Sequence, residues 1–232
     1  ERPLFNPLRL VNVDAVLRDG IVDATGAILL EAQRRQLADF TARHVMSDGA
    51  GAARVNAANL TFNPDLQPYD ITERTRGLVE GVTGSADIVG DITWTRDAIT
   101  STGRVQLNGV SLATSTIPIV ENVTGEIFFD DLFALTTPPG QQVNIGALNP
   151  GVEVTNGRVR FQLLPEQKVA IENAEFDFAS GVLEMRPTTI TLGADETRFE
   201  LRLRDLDASS LLATLNVPDL EATGRLEGSF PL

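Results

Sequence analysis

His44 is the only histidine in the chain. It is therefore the one side chain whose ordinary pKa would let it exchange a proton near neutrality. It could serve as a general base or orient a ligand, although a structural hydrogen bond is the commoner use of a lone histidine. No nucleophile elbow of the GxSxG kind and no GxxxxGK phosphate loop accompanies it. Gly49-Ala50-Gly51 lacks the third glycine of a dinucleotide fingerprint. Asp130-Asp131 and Asp205-Leu206-Asp207 are the carboxylate clusters that could hold a cation or work as an acid–base pair. On a strand, adjacent residues point to opposite faces, so Asp130 and Asp131 converge only in a turn. Turn-forming and capping carboxylates are the plainer expectation.

Other chemistry is excluded by composition. Cysteine is absent, which removes disulfides, thiolate metal sites and a cysteine nucleophile. The net charge of −13 and a pI near 4.5 repel phosphate backbones, so nucleic acid is not an expected partner. Asn59-Leu60-Thr61 and Asn122-Val123-Thr124 match the glycosylation sequon, at a frequency chance alone supplies. Trp94, the single tryptophan, is expected to pack rather than to stack on a sugar. Lys168 is the only lysine among 19 basic residues, a skew that reflects genome composition. No catalytic residue, metal site or cofactor is expected.

The elements that carry these residues are mostly strands. Residues 104–108, 158–163 and 198–204 alternate polar and apolar side chains without a break. Such alternation marks antiparallel strands with one apolar and one wetted face. Further strands are expected at 8–18, 54–62, 85–95, 125–129, 169–178, 182–186, 188–192 and 220–230. Asp19-Gly20, Asn108-Gly109, Asn156-Gly157, Ser180-Gly181 and Pro138-Pro139-Gly140 read as turns between them. Residues 207–216 predict a short helix, with Asp207 as cap and Leu211, Leu212 and Leu215 on one face before Pro218. Residues 27–45 carry Leu30, Leu37, Phe40 and His44 at roughly helical spacing around a polar stretch at 33–36. Helix and strand both remain open there. Thr-Gly recurs at strand starts (Thr83-Gly84, Thr124-Gly125, Thr223-Gly224), as repeated hairpins on one sheet would give.

The chain is 232 residues long, with 42% hydrophobic residues and a mean hydropathy of −0.01, values of an ordered protein. We expect residues 1–232 to form one segment of a longer protein, because the sequence opens at Glu1 without an initiator methionine. No run approaches the ~18 apolar residues that span a bilayer as a helix.

The apolar halves of these strands accumulate. Val105, Leu107, Val159, Phe161, Leu163, Val169, Ile171, Phe176, Phe178, Leu183, Met185, Ile190, Leu192, Phe199, Leu201 and Leu203 should share one face. Arg158, Arg160, Arg202 and Arg204 should lie on the other. Such a face must be covered. A second layer would give a closed core, as in a structural stalk or adhesin. A sheet bent along its length would instead make a groove that acyl chains could fill.

Several phrases then carry a resemblance. They are Leu148-Asn149-Pro150-Gly151-Val152-Glu153-Val154 leading into Asn156-Gly157-Arg158-Val159-Arg160-Phe161-Gln162-Leu163, preceded by Pro138-Pro139-Gly140-Gln141-Gln142-Val143. Upstream stand Arg43-His44 before Gly49-Ala50-Gly51, then residues 60–68 (LTFNPDLQP) and Gly90-Asp91-Ile92-Thr93-Trp94. The end, residues 222–232 (ATGRLEGSFPL), is similar to the close of an AsmA-like repeat. Over residues 8–232 this order resembles the YdbH-type ("dicarboxylate transport") family of AsmA-like proteins of the Gram-negative envelope. Ala179-Ser180-Gly181 departs from the Gly-Gly expected at that turn. The resemblance implies a mainly β fold, a long curved antiparallel sheet or β-taco with one or two short helices. It implies phospholipid transport along a hydrophobic groove through the periplasm, with phospholipid acyl chains as cargo. It further implies an inner-membrane anchor outside this segment and an outer-membrane lipoprotein partner. A count of about 14 strands would extend such a groove ~65 Å at the usual strand spacing.

Overall fold

A computed structural model describes residues 4–114, 119–149, 152–193, 200–214 and 220–231. Among these residues fourteen strands form one open antiparallel sheet. They are β1 (Leu8–Arg18), β2 (Ile21–Leu30), β3 (Arg35–Val45), β4 (Ala50–Phe62), β5 (Glu80–Trp94), β6 (Ile99–Ala113) and β7 (Val120–Phe129). There follow β8 (Gln141–Leu148), β9 (Val154–Leu164), β10 (Lys168–Phe178), β11 (Gly181–Met185), β12 (Thr188–Thr191), β13 (Glu200–Asp207) and β14 (Arg225–Pro231). Spatial order follows chain order, except that β11 and β12 both pair with β10, and β13 pairs with β11. Two short helices sit at strand ends: α1 (Pro68–Ile71) between β4 and β5, and α2 (Ala208–Thr214) after β13.

The mainly β expectation holds, and the strand count matches. Residues 27–45 are strand, not helix: β2 and β3 form a hairpin there. A register shift between Ile28 and Leu29 leaves Leu37 as an extra residue on β3. One inserted residue flips the parity of every residue after it, so Leu37 and Phe40 fall at a spacing that mimics a helix. The helix expected at 207–216 is present as α2. The Ser210 N–H donates to Asp207 Oδ1 at 2.8 Å, and Leu211 packs against the apolar side of β10, β11 and β13. Leu215 lies outside the described residues.

Asp19-Gly20 is a hairpin turn as expected; the turn expected at Ser180-Gly181 lies one residue earlier, with Ala179 and Ser180 as its loop and Gly181 opening β11 opposite Phe178. Asn108-Gly109 and Asn156-Gly157 are not; both lie within strands, β6 and β9, where the pairing register shifts. Asn-Gly supplies a positive φ at either kind of site, so the dipeptide alone cannot separate a turn from a bulge. Here Gly109 has φ 68 and Asn156 has φ 51.

These two bulges belong to a row. Positive φ also occurs at Asn59 on β4, Gly84 on β5, Asn122 on β7 and Asp205 on β13, at shifts of register in β4, β5 and β13 and beside the shift of β6 against β7. Gly84 and Gly109 touch, a Cβ on Gly84 lying 2.5 Å from the Gly109 carbonyl, and Gly181 of β11 lies against the Asp205 bulge, where its Cβ would come 2.7 Å from the Asp205 carbonyl. Asp87 accepts the Asn59 N–H and the Asn108 side-chain amide, both at 2.8 Å, and Asp177 accepts the Asn156 amide at 2.9 Å. Each bulge bends its strand and increases the local twist. Aligned across β4 to β13, they make a crease parallel to one rim of the sheet.

Candidate functional site: one apolar sheet face

Register decides which side chains share a face. Val105 pairs with Ile88 and Ile127, and Leu107 with Ala86 and Gly125. Val143 pairs with Val159, Phe161 with Ile171, and Leu163 with Val169. Val169 also pairs with Ile190. Leu183 stands opposite Phe176 and Leu203, and Met185 opposite Ala174 and Leu201. Those of the expected lining residues that the structure describes therefore lie on one face. Leu192 follows β12 and packs against the same cluster as Phe161 and Val169. Phe199 lies outside the described residues.

The phase of β10 needs a physical account. Val169 and Ile171 have odd numbers, whereas Ala174, Phe176 and Phe178 have even ones. A regular strand would put them on opposite faces. The register shift between Ile171 and Asn173 inserts one residue and keeps all five on the same side.

The face is apolar along most of the sheet. Val82, Val110, Val120, Val123, Val143, Phe161 and Val169 form one buried cluster. Val154, Ala174, Phe176, Phe178, Leu183 and Leu206 form a second, and Leu30, Ala38, Ala57, Leu60 and Leu66 a third. Leu66 and Leu206, both at 0% exposure, were not among the expected lining residues. Leu66 sits in a loop and Leu206 just past a bulge, so neither belongs to an alternating run. Phe161 is 7% exposed and Phe176 6%, whereas Val105, Leu107, Val159, Leu163, Ile171, Met185, Ile190, Leu192, Leu201 and Leu203 are half-buried.

The opposite face is charged. Arg43 pairs with Asp23 at 3.4 Å, Arg54 with Asp91 at 3.0 Å, Arg104 with Glu126 at 3.3 Å and Arg160 with Glu172 at 3.6 Å. Arg204 reaches both Glu175 and Glu184. Arg158 stands opposite Glu175, and Arg202 opposite Glu184. The four arginines thus lie away from the apolar side, as expected. Exposed pairs of this kind add only ~0–1 kcal/mol each; their larger effect is to keep this face in water.

Loops from both rims fold over the apolar face. From the rim at the end of β4, residues 63–79 form a strap containing α1. Leu66 anchors it in the third cluster. Gln67, buried at 4%, donates to the Val82 carbonyl at 2.8 Å and accepts the Val82 N–H at 2.9 Å, so its amide acts as a short extra rung of strand. From the opposite rim, residues 130–140 bring Leu132 inward. The two loops meet where the Arg74 guanidinium donates to the Phe133 carbonyl. Leu78 of the strap also approaches Gly193, beyond β12 on that second rim. Strands β5 and β6 have 15 residues each, about 50 Å if straight at 3.3 Å per residue. Contact between the rims therefore places the apolar face on the inside of the curl.

The residues considered for catalysis have structural roles. His44 Nδ1 accepts the Trp94 indole N–H at 3.2 Å, and the two rings stack with centroids 6.1 Å apart. Trp94 lies over Gly51, where a Cβ would come within 2.3 Å of the indole. Asp130 accepts from the Thr136 hydroxyl at 2.6 Å. Asp131 accepts from the Phe133 and Ala134 N–H groups at 2.7 and 3.1 Å and from the Ser101 hydroxyl at 3.0 Å. The Ala134 N–H chiefly, with the Phe133 N–H and the Ser101 hydroxyl, holds the Asp131 carboxyl below its usual pKa. Asp205 pairs with Arg225 at 3.2 Å. Among the described residues no group of three or more His, Cys, Asp or Glu could hold a metal ion, and no helix is long and apolar enough to cross a membrane. Asn59 and Asn122, the sequon asparagines, both sit in the row of bulges.

Comparison with known proteins gives one family. The model of the YdbH-like family, described as intermembrane phospholipid transport protein YdbH, matches residues 5–232. Neither the curated proteins nor the solved structures yield a match. A one-sided sheet curled around its apolar face suits that description, and on the strength of a match across nearly its whole length the chain belongs to the YdbH-like family, a family of intermembrane phospholipid transport.

Proposed function

We propose that this chain is a segment of a hydrophobic groove that spans the periplasm between the inner and outer membranes and carries phospholipids by their acyl chains. The observation that carries this reading is the apolar face that runs along most of the sheet from β2 to β13, backed by a charged one. An acyl chain leaving a bilayer loses ~0.8 kcal/mol for each CH₂ exposed to water, so its route must stay apolar throughout. Period-two alternation supplies such a route with no catalytic group. The headgroup remains in water at the mouth of the curl. An inner-membrane anchor and an outer-membrane lipoprotein partner, implied by the resemblance, belong to the same reading.

A closed-core stalk is the competing reading, favoured by the burial of Phe161 and Phe176. The two part in one experiment. Full-length protein is purified from membranes and its bound lipid identified by mass spectrometry. Stoichiometric phospholipid, displaced when a half-buried lining residue becomes an aspartate, supports the groove. A folded protein free of lipid overturns it.

A further inference from the structure

Four places in the sheet have glycine where an apolar side chain belongs. Gly26, Gly51, Gly157 and the cross-strand pair Gly90–Gly103 all occupy strand interiors, and none has positive φ. Their backbone conformation would accept any residue. Glycine in a strand interior costs stability, and it commonly marks close approach by another group. At three of the sites that group is a ring from an adjacent strand: Phe40 over Gly26, Trp94 over Gly51 and Phe176 over Gly157. Those rings are fixed by the sheet itself.

The fourth site differs. Gly90 and Gly103 face each other on β5 and β6, flanked across the strands by Val55 and Phe129 and along them by Ile88 and Val105. Two facing glycines leave a trough without side chains in the apolar face. Its occupant comes from a loop: a Cβ on Gly103 would lie 2.7 Å from both Leu132 methyls, and one on Gly90 3.0 Å from one of them. This loop is held mainly by polar contacts. Ser101, only 3% exposed on the apolar face, accepts the Leu132 N–H at 3.0 Å and donates to Asp131, and Arg74 fastens the next carbonyl. The trough lies between the third apolar cluster, around Leu30 and Leu60, and the first, around Phe161.

We propose that the Gly90–Gly103 trough is a seat for a phospholipid acyl chain, occupied in this state by Leu132 as an exchangeable plug. The branched C4 side chain of leucine stands in for the methylenes that replace it. When the loop lifts, the trough opens onto the apolar face beside Ile88 and Val105. This rests on the groove reading above and adds a binding seat within that groove.

The test uses full-length protein and vesicles of phosphatidylethanolamine and phosphatidylglycerol, the latter carrying a diazirine in its acyl chain. After illumination, labelled peptides are located by mass spectrometry in the wild type, Leu132→Ala and Gly103→Leu. Labelling of β9 should be present in all three. Labelling around Gly90 and Gly103 should rise severalfold in Leu132→Ala and drop to background in Gly103→Leu, whose side chain fills the trough. Gly90→Val replaces Gly103→Leu if the latter does not fold. Equal labelling of β5 and β6 in every variant, with β9 labelled, overturns the plug and leaves the groove standing. Absence of label on β9 in all of them overturns the groove itself, and the plug with it.

Discussion

Phe176 on β10 lies across Gly157 on β9, so close that a Cβ at Gly157 would sit 2.3 Å from the ring. The ring fills the space of the missing side chain and is itself buried at 6% exposure. Gly157→Ala should therefore destabilise the protein by ~1–3 kcal/mol through overpacking. In a chain of this size that lowers Tm by about 2–4 °C per kcal/mol. Phe176→Leu in the same chain should recover part of the loss, and a double-mutant cycle that finds the two changes additive would remove the pair as the cause.

Charge in the lining separates conduit from core. Phe161 is almost fully buried, so Phe161→Asp combines a lost ring with an unpaired charge, and it should unfold the chain or come close. Leu201 is half-buried and able to hydrate a carboxylate. Leu201→Asp should stay folded by thermal melting yet fail to complement loss of the full-length protein. A Leu201→Asp protein that is folded and fully active sinks conduction past that residue.

His44→Ala should leave lipid binding intact. It removes the acceptor of the Trp94 indole N–H, a loss of ~1 kcal/mol. Trp94 is the only tryptophan, so its emission reports the change directly. Loss of bound lipid in a folded His44→Ala protein would restore a direct role for the imidazole.

Acid should loosen α2 before the sheet. The Ser209 hydroxyl, then the Ser210 N–H, hold the Asp207 carboxyl down to about 2 from an ordinary 3.8. A depressed folded pKa means the stabilisation is complete above the unfolded value and is lost as pH falls through the folded one. The helix should accordingly fray between about pH 4 and 2. Hydrogen exchange at residues 210–214 measures it, and Asp207→Ala should show the same fraying at neutral pH. Exchange there that is indifferent to pH in the wild type refutes the cap.

Much of this fold is legible in the sequence, and the parts that are not have a common cause. The strands around Phe161 and Leu201 alternate cleanly, and their faces follow from parity. Where a bulge inserts a residue, parity breaks. The hairpin of β2 and β3 then imitates a helix, and Asn108-Gly109 and Asn156-Gly157 imitate turns. Strand β8 escapes sequence reading too, because Gly146 interrupts its alternation after Ile145. The strap is invisible for another reason: Leu66 and Gln67 bury themselves through a loop, and no periodicity announces a loop's partners. Leu132 likewise shows its purpose only when two distant glycines are seen beneath it.

The chain order of the strands, unbroken from β1 to β11, has a consequence for assembly. From β1 to β11 each strand docks on the one before it; only β12, which returns to β10, and β13, which passes over β12 to pair with β11, depart from this among the described strands. Such a chain can zip from its first strand as it emerges from the ribosome or an export pore, and its growing edge is always the newest strand. It can also be shortened or lengthened by whole hairpins without rewiring the rest. Removing β2 and β3 together would bring β1 beside β4 with direction and face preserved, provided the bulges on either side still align. Length in this architecture is thus a heritable quantity set in units of two strands.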